Sequence, residues 1–99
     1  MDKVRAYVII SGMVQGVLFR YKARMRAQSL GITGWVMNTL DGRVEAVFEG
    51  ERDRVESMVD WCHKGPNGAV VDKVYSKLSE YTGRFKDFTV SMQNKNKSS

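Results

Sequence analysis

The sequence predicts an α+β fold: a two-layer sandwich with one antiparallel sheet and two helices on one of its faces. Three observations predict it. Short apolar runs with a period of two recur along the chain, as half-buried strands require. Two segments rich in helix formers carry apolar residues three and four positions apart. The two kinds alternate as β-α-β-β-α-β, with a short strand after the last.

Val4 to Ser11 reads as the first strand, with Val4, Ala6, Val8 and Ile10 on one face and Arg5, Tyr7 and Ile9 on the other. A loop follows from Gly12 to Val17. Phe19 to Leu30 alternates like a strand, but its Lys, Ala, Arg, Met and Gln residues are helix formers and none is β-branched. Phe19, Ala23, Ala27 and Leu30 also share one helical stripe, and Gly31 is a natural C-cap, so the segment is a helix. Gly34 to Asn38 and Val44 to Glu49 are strands. Asp41-Gly42 between them favours a tight hairpin with positive φ at both central residues. Glu51 to Lys64 is the second helix: Val55, Met58, Val59 and Cys62 form its apolar stripe, and Glu51 and Asp53 suit its positive end. Gly65-Pro66-Asn67-Gly68 breaks the chain before a long strand from Ala69 to Leu78. Thr82-Gly83-Arg84 turns again, and Phe88, Val90 and Met92 mark the closing strand. Two β-α-β halves in this order build a ferredoxin-like sandwich. That architecture hosts many functions and selects none of them.

The chain has 99 residues, 42% hydrophobic and 27% charged, which supports one core. We expect a single domain over residues 1–93 and a polar C-terminal tail over 94–99 with no core residue. Cys62 is the only cysteine, so no intrachain disulfide forms. There is no basic n-region followed by a long apolar stretch, and the apolar run around Tyr7 to Ile10 is far short of a membrane span. These features predict a cytoplasmic protein with no membrane partner, and nothing in them demands more than a monomer.

The net charge is +5, and all of it lies in the first forty residues. There Lys3, Arg5, Arg20, Lys22, Arg24 and Arg26 oppose Asp2 alone, whereas the remainder carries ten basic and ten acidic residues. Such a field attracts anions. A solvated basic helix face would carry the same charges.

The loop Gln15-Gly16-Val17-Leu18-Phe19-Arg20 joins a strand end to a helix start. Free N–H groups at a helix start carry partial positive charge and bind anions. Gly12 and Gly16 let the backbone bend and come close to a ligand. Arg20 adds a guanidinium able to hold two phosphate oxygens. A plain strand-to-helix turn with two glycines has the same pattern. The loop is neither a Walker loop nor a dinucleotide fingerprint, because Gly-Lys-Ser/Thr and the three-glycine spacing are both absent.

Gly12-Met13-Val14-Gln15-Gly16-Val17-Leu18-Phe19-Arg20 closely resembles the first signature of the acylphosphatase family. Gly34-Trp35-Val36-Met37-Asn38 followed by Asp41-Gly42-Arg43-Val44-Glu45 resembles the second, and Gly65-Pro66 with Ala69 and Val71 resembles a weaker third. The resemblance runs from about residue 4 to residue 92. It implies hydrolysis of the carboxyl–phosphate bond of acyl phosphates to carboxylate and inorganic phosphate, with no cofactor and no metal. It implies that the backbone amides of Gln15, Gly16, Val17, Leu18, Phe19 and Arg20 cradle the phosphoryl oxygens. The family's essential arginine falls on Arg20, and its essential asparagine, which orients the attacking water, on Asn38. Met13 and Leu18 depart from common family choices at positions that bear on specificity before activity.

Other residues carry less. His63, the lone histidine, falls late in the second helix, where the dipole favours it, and with Cys62 alone beside it no metal-ligand spacing exists. Cys62 lies on the apolar stripe and reads as a buried thiol. Trp35, Tyr7 and Phe48 read as core or sheet cover, and Trp61 lies beside its helix's main stripe. An RNA-recognition domain is the main rival class. It needs a glycine and paired aromatics on its central strand, and Arg43-Val44-Glu45-Ala46-Val47-Phe48-Glu49 lacks them and carries two acids. No nucleic-acid partner is therefore expected. A regulatory domain of the same family without turnover is the third alternative.

Overall fold

In the computed structural model, β1 (Lys3–Met13) buries Val4, Ala6, Val8 and Ile10 and leaves Arg5, Tyr7 and Ile9 half-buried on its other face. The described residues are 2–16 and 18–91. Val17, Met92 and the tail expected over 94–99 lie outside them. The elements that follow β1 are α1 (Phe19–Ser29), β2 (Thr33–Asn38), β3 (Val44–Glu51), α2 (Arg52–Lys64), β4 (Val70–Glu80) and β5 (Phe88–Val90).

The sheet order is β4-β1-β3-β2-β5. β1 pairs antiparallel with β3 and β4, and β2 antiparallel with β3. The order is that of the expected ferredoxin-like sandwich, with one addition. β5 runs parallel to β2, with Gly34 opposite Phe88 and Val36 opposite Val90, so the sheet is mixed at that edge. To reach it the chain must pass from the β4 edge to the β2 edge. It does so across the face opposite the helices, where Thr82 and Gly83 donate to Glu49 and the Arg5 guanidinium lies 5.8 Å from the Phe85 ring centre.

Both helices bury most of the stripes that their spacing predicts, with Leu30 and Val59 only half-buried against the core. Phe19, Ala23 and Ala27 of α1 and Val55, Met58 and Cys62 of α2 join Val8, Ile10, Ala46 and Phe48 in one core. Phe88 closes that core by stacking on Phe48, with ring centres 5.6 Å apart. Central β3 is buried on both faces from Val44 to Glu49, which its own pattern does not announce.

Two local expectations are corrected. In the hairpin after Asn38, Gly42 has φ 91° but Asp41 does not take positive φ, so the turn is wider than a two-residue one. Thr39 and Arg43 close it by backbone pairing at 2.8 Å, and Asp41 instead accepts a bidentate pair from Arg43. The second correction concerns Gly12. It serves packing of the sheet: a Cβ there would stand 2.1 Å from the Val70 carbonyl oxygen, where a bulge shifts the β1–β4 register.

Candidate active site

The loop between β1 and α1 is fastened to the hairpin that follows β2. Gln15 Nε2 donates to the carbonyls of Thr39 at 2.9 Å and Arg43 at 2.8 Å. Two segments more than twenty residues apart are thereby held side by side, and Asn38 at the end of β2 is brought to the loop. Gly16 turns with φ 81°, and an added Cβ would meet nothing within 4 Å. Conformation rather than crowding selects glycine there.

Leu18 then takes the left-handed conformation, φ 60° and ψ 25°, and it alone among the described non-glycine residues has positive φ. Such a conformation costs about 1–2 kcal/mol for a residue with a Cβ. α1 starts directly after it without a capping side chain and without an acid in its first turn. Ordinarily Ser, Thr, Asp or Asn would accept from those first N–H groups. Here they and the positive end of the helix dipole are left uncompensated by side chains.

A cleft of about 400 Å³ opens at this helix start, and Gly16, Leu18, Phe19, Arg20 and Asn38 all line it. The structure thus brings the expected arginine, at the start of α1, and the expected asparagine, at the end of β2, to one cavity. Of the other expected residues, Gln15 does not line the cleft and acts through its side-chain anchor, while Val17 lies outside the described residues.

Arg24 and Tyr21 also line the cleft, together with Val14 and Val90. In sequence Arg24 is one of several cations in a basic segment. Its spacing of four from Arg20 was the available signal, since positions i and i+4 share a helix side. Its guanidinium lies 5.7 Å from the Tyr21 ring centre. Its Nε is buried without a hydrogen-bond partner, unlike any other buried side-chain nitrogen or oxygen among the described residues. The ion pairs found among the described residues are Arg5–Glu49, Arg43–Asp41 and Arg52–Asp2, so Arg20 and Arg24 enter none.

Among the described residues no carboxylate or histidine lines the cleft. The perturbed groups lie elsewhere. Burial pushes the Cys62 thiol up to about 12, which keeps it protonated and inert. Burial, with a hydrogen bond to Glu45, raises Tyr7 to about 12. The hydrogen bonds from Arg43 and Thr39 hold Asp41 down at about 2. His63 is exposed, with Nδ1 3.1 Å from the Val59 carbonyl, the helix-end role expected for it. Among the described residues no three His, Cys, Asp or Glu side chains come together in a metal-ligating group, and no helix is long and apolar enough to cross a membrane.

Comparison with known proteins adds an independent observation. Residues 6–90 match the family model described as acylphosphatase. The acylphosphatase of Pelotomaculum thermopropionicum is 49% identical over 91% of this chain and 98% of its own length. That of a Roseiflexus species is 52% identical over 91% of this chain and 97% of its own. Among solved structures, an acylphosphatase from Coxiella burnetii superposes with a TM-score of 0.86 at 38% identity, covering 91% of this chain and 94% of that one.

Proposed function

The chain belongs to the acylphosphatase family and hydrolyses acyl phosphates, and from that premise we propose how its residues do so: Arg20 and the loop amides hold the phosphoryl group, and Asn38 orients the attacking water. The observation that carries this reading is the convergence on one cleft of an uncapped helix start, an arginine outside any described ion pair and an asparagine.

The chemistry asks little of the protein. Water attacks phosphorus, the bond from phosphorus to the acyl oxygen breaks, and that oxygen leaves as a carboxylate. The water's proton passes to a phosphate oxygen, and the products are carboxylate and inorganic phosphate. A carboxylate of low basicity leaves without an acid to protonate it. The remaining demands are positioning and neutralisation of charge on the phosphoryl oxygens. Fixed N–H dipoles and a guanidinium supply the second, and the Asn38 amide supplies the first. That no carboxylate or histidine among the described residues lines the cleft supports a route with no protein base. Metal independence belongs to the proposal as well, because Arg20 and the amides occupy the electrostatic role a cation would otherwise take.

The test is hydrolysis of benzoyl phosphate with and without a strong chelator, at several pH values. We expect turnover that survives chelation, is inhibited competitively by inorganic phosphate, and shows no steep limb from an enzyme group near neutrality. Loss of activity on chelation would overturn metal independence, and a limb near pH 7 would overturn the base-free route.

Asn38→Ala separates the two roles. Loss of one positioned polar group costs roughly 10²–10³ in rate, so we expect kcat to fall by that factor while competitive inhibition by phosphate is kept. A variant retaining most of its activity would end the water-positioning role.

A further inference from the structure

A second depression adjoins the active-site cleft. It occupies about 630 Å³ between α1 and the C-terminal end of α2, and Leu18 lines both cavities. The exposed Leu18 side chain therefore stands as the partition between them. On its far side lie Met25 and Trp61, both partly open to solvent. Trp61 packs its ring against buried Phe19, with centres 5.3 Å apart, so the indole is a fixed wall. It is not needed for the apolar stripe of α2, which Val55, Met58 and Cys62 already fill. The rim carries Lys22, Arg26 and Lys64, and among the described residues no acid lines the depression. None of these three cations enters an ion pair among the described residues.

The spacing on α1 explains the arrangement. Phe19, Ala23 and Ala27 face the core, Arg20 and Arg24 face the catalytic cleft, and Lys22 and Arg26 face the second depression. Each pair is four residues apart and so shares one side of the helix. At a rise of about 1.5 Å per residue, Lys22 and Arg26 stand roughly 6 and 12 Å along the axis from Leu18. An acyl group leaving the phosphate site over Leu18 meets an apolar floor first and cations beyond it.

We propose that this depression is the acyl-binding site, and that it selects acyl phosphates whose acyl part has an apolar body ending in a second negative charge. The inference rests on the hydrolytic reading above and names the substrate class for that same site. Leu18, Met25 and Trp61 take the body, and Lys22, Arg26 and Lys64 take the distal anion.

The experiment compares benzoyl phosphate with 4-carboxybenzoyl phosphate. The two share a ring and a leaving group and differ in one distal charge. The readout is the ratio of kcat/KM for the carboxylated to the plain compound, each referred to its uncatalysed rate. We expect the ratio to exceed 1 for the wild type through a lower KM. Removing an exposed cation–carboxylate contact changes binding roughly two- to five-fold, so Lys22→Gln and Arg26→Gln should each lower the ratio by about that factor, and Arg26→Glu should lower it further. Lys77→Gln is the control, because Lys77 lies on β4 opposite Tyr7, on the sheet face away from the helices. If it lowers the ratio as much as Arg26→Gln, the preference belongs to the overall positive field and the depression is not a site. A wild-type ratio at or below 1 with brisk benzoyl phosphate turnover would also overturn the inference while sparing the hydrolytic reading. Failure to hydrolyse benzoyl phosphate at all would instead count against the hydrolytic reading itself.

Discussion

We expect Arg20→Ala to lower kcat on benzoyl phosphate by at least about 10²–10³ and, unlike Asn38→Ala, also to weaken inhibition by inorganic phosphate. The phosphoryl group carries its charge in the ground state and through the transition state, so a guanidinium holding it would contribute to both. Its planar fork can hold two oxygens at fixed geometry, which a point charge cannot reproduce. Arg20→Lys should accordingly recover phosphate affinity better than rate. The fold should tolerate both changes, because Arg20 lines the cleft and enters none of the ion pairs among the described residues. Steady-state kinetics with phosphate as inhibitor, beside a thermal melt, decides it. Unchanged phosphate inhibition in a folded, slow variant would remove Arg20 from the binding role. Activity within a few-fold of wild type would remove it from the site altogether.

Glu49→Ala gives the largest expected loss of stability. Glu49 is fully buried, 0% exposed, on the sheet face opposite the helices. Its carboxylate accepts from the Thr82 hydroxyl at 2.7 Å, the Thr82 and Gly83 amides at 3.1 and 3.0 Å, and Arg5 at 3.1 Å. These bonds fasten the connection that carries β5 across to β2. Removing the acceptor leaves several donors unpaired beneath that connection and strands the Arg5 charge. Breaking such a buried arrangement costs about 3–5 kcal/mol. For a domain this size that is a fall in Tm of more than ~10 °C. Glu49→Gln keeps the shape and one acceptor and should lose less.

Burial alone would raise the Glu49 carboxyl, but the bonds from Thr82, Arg5 and the Gly83 amide outweigh it and hold the group below the usual carboxylate range. A lowered folded pKa means that ionised Glu49 stabilises the fold fully above the unfolded carboxylate pKa of about 4.3. That stabilisation is lost as pH falls through the lower folded value. The difference in Tm between wild type and Glu49→Gln should therefore be constant near neutrality and shrink below about pH 4. A difference that grew on acidification would refute the role assigned to the ionised carboxylate.

Neither the partner of β5 nor the burial of Glu49 was legible in advance. Phe88 and Val90 announce a strand by their alternation, but three residues carry no mark of which edge they join. Glu45 and Glu49 read as the solvent-facing positions of a half-exposed strand. They are buried because Tyr7 covers one and a connection more than thirty residues away covers the other. The candidate site shows the same division. Arg20 and Asn38 were legible through the motifs that hold them, and the uncapped start of α1 was implicit in a loop with no Ser, Thr, Asp or Asn before Phe19. The spacing of Arg24 puts it on Arg20's side of the helix, but its unpaired Nε beside a cavity is a property of space and not of order. Gly12 was assigned to the ligand for the complementary reason. A glycine's backbone freedom is visible in sequence, but the Val70 carbonyl that requires it is not.

The sequence by itself determined the order of elements, the two buried helical stripes, the family and the pair of residues proposed for catalysis. Periodicity, helix and turn chemistry, and short motifs all act within a few neighbours, and a linear chain displays them directly. Only the tertiary structure decided that Gln15 anchors the loop to the hairpin, that β5 joins β2 in parallel and that Leu18 divides two cavities. It alone decided that α1 turns one pair of cations to each of them. Those facts depend on contacts between residues far apart in the chain, and close packing of the layers selects among arrangements that local preference leaves equivalent.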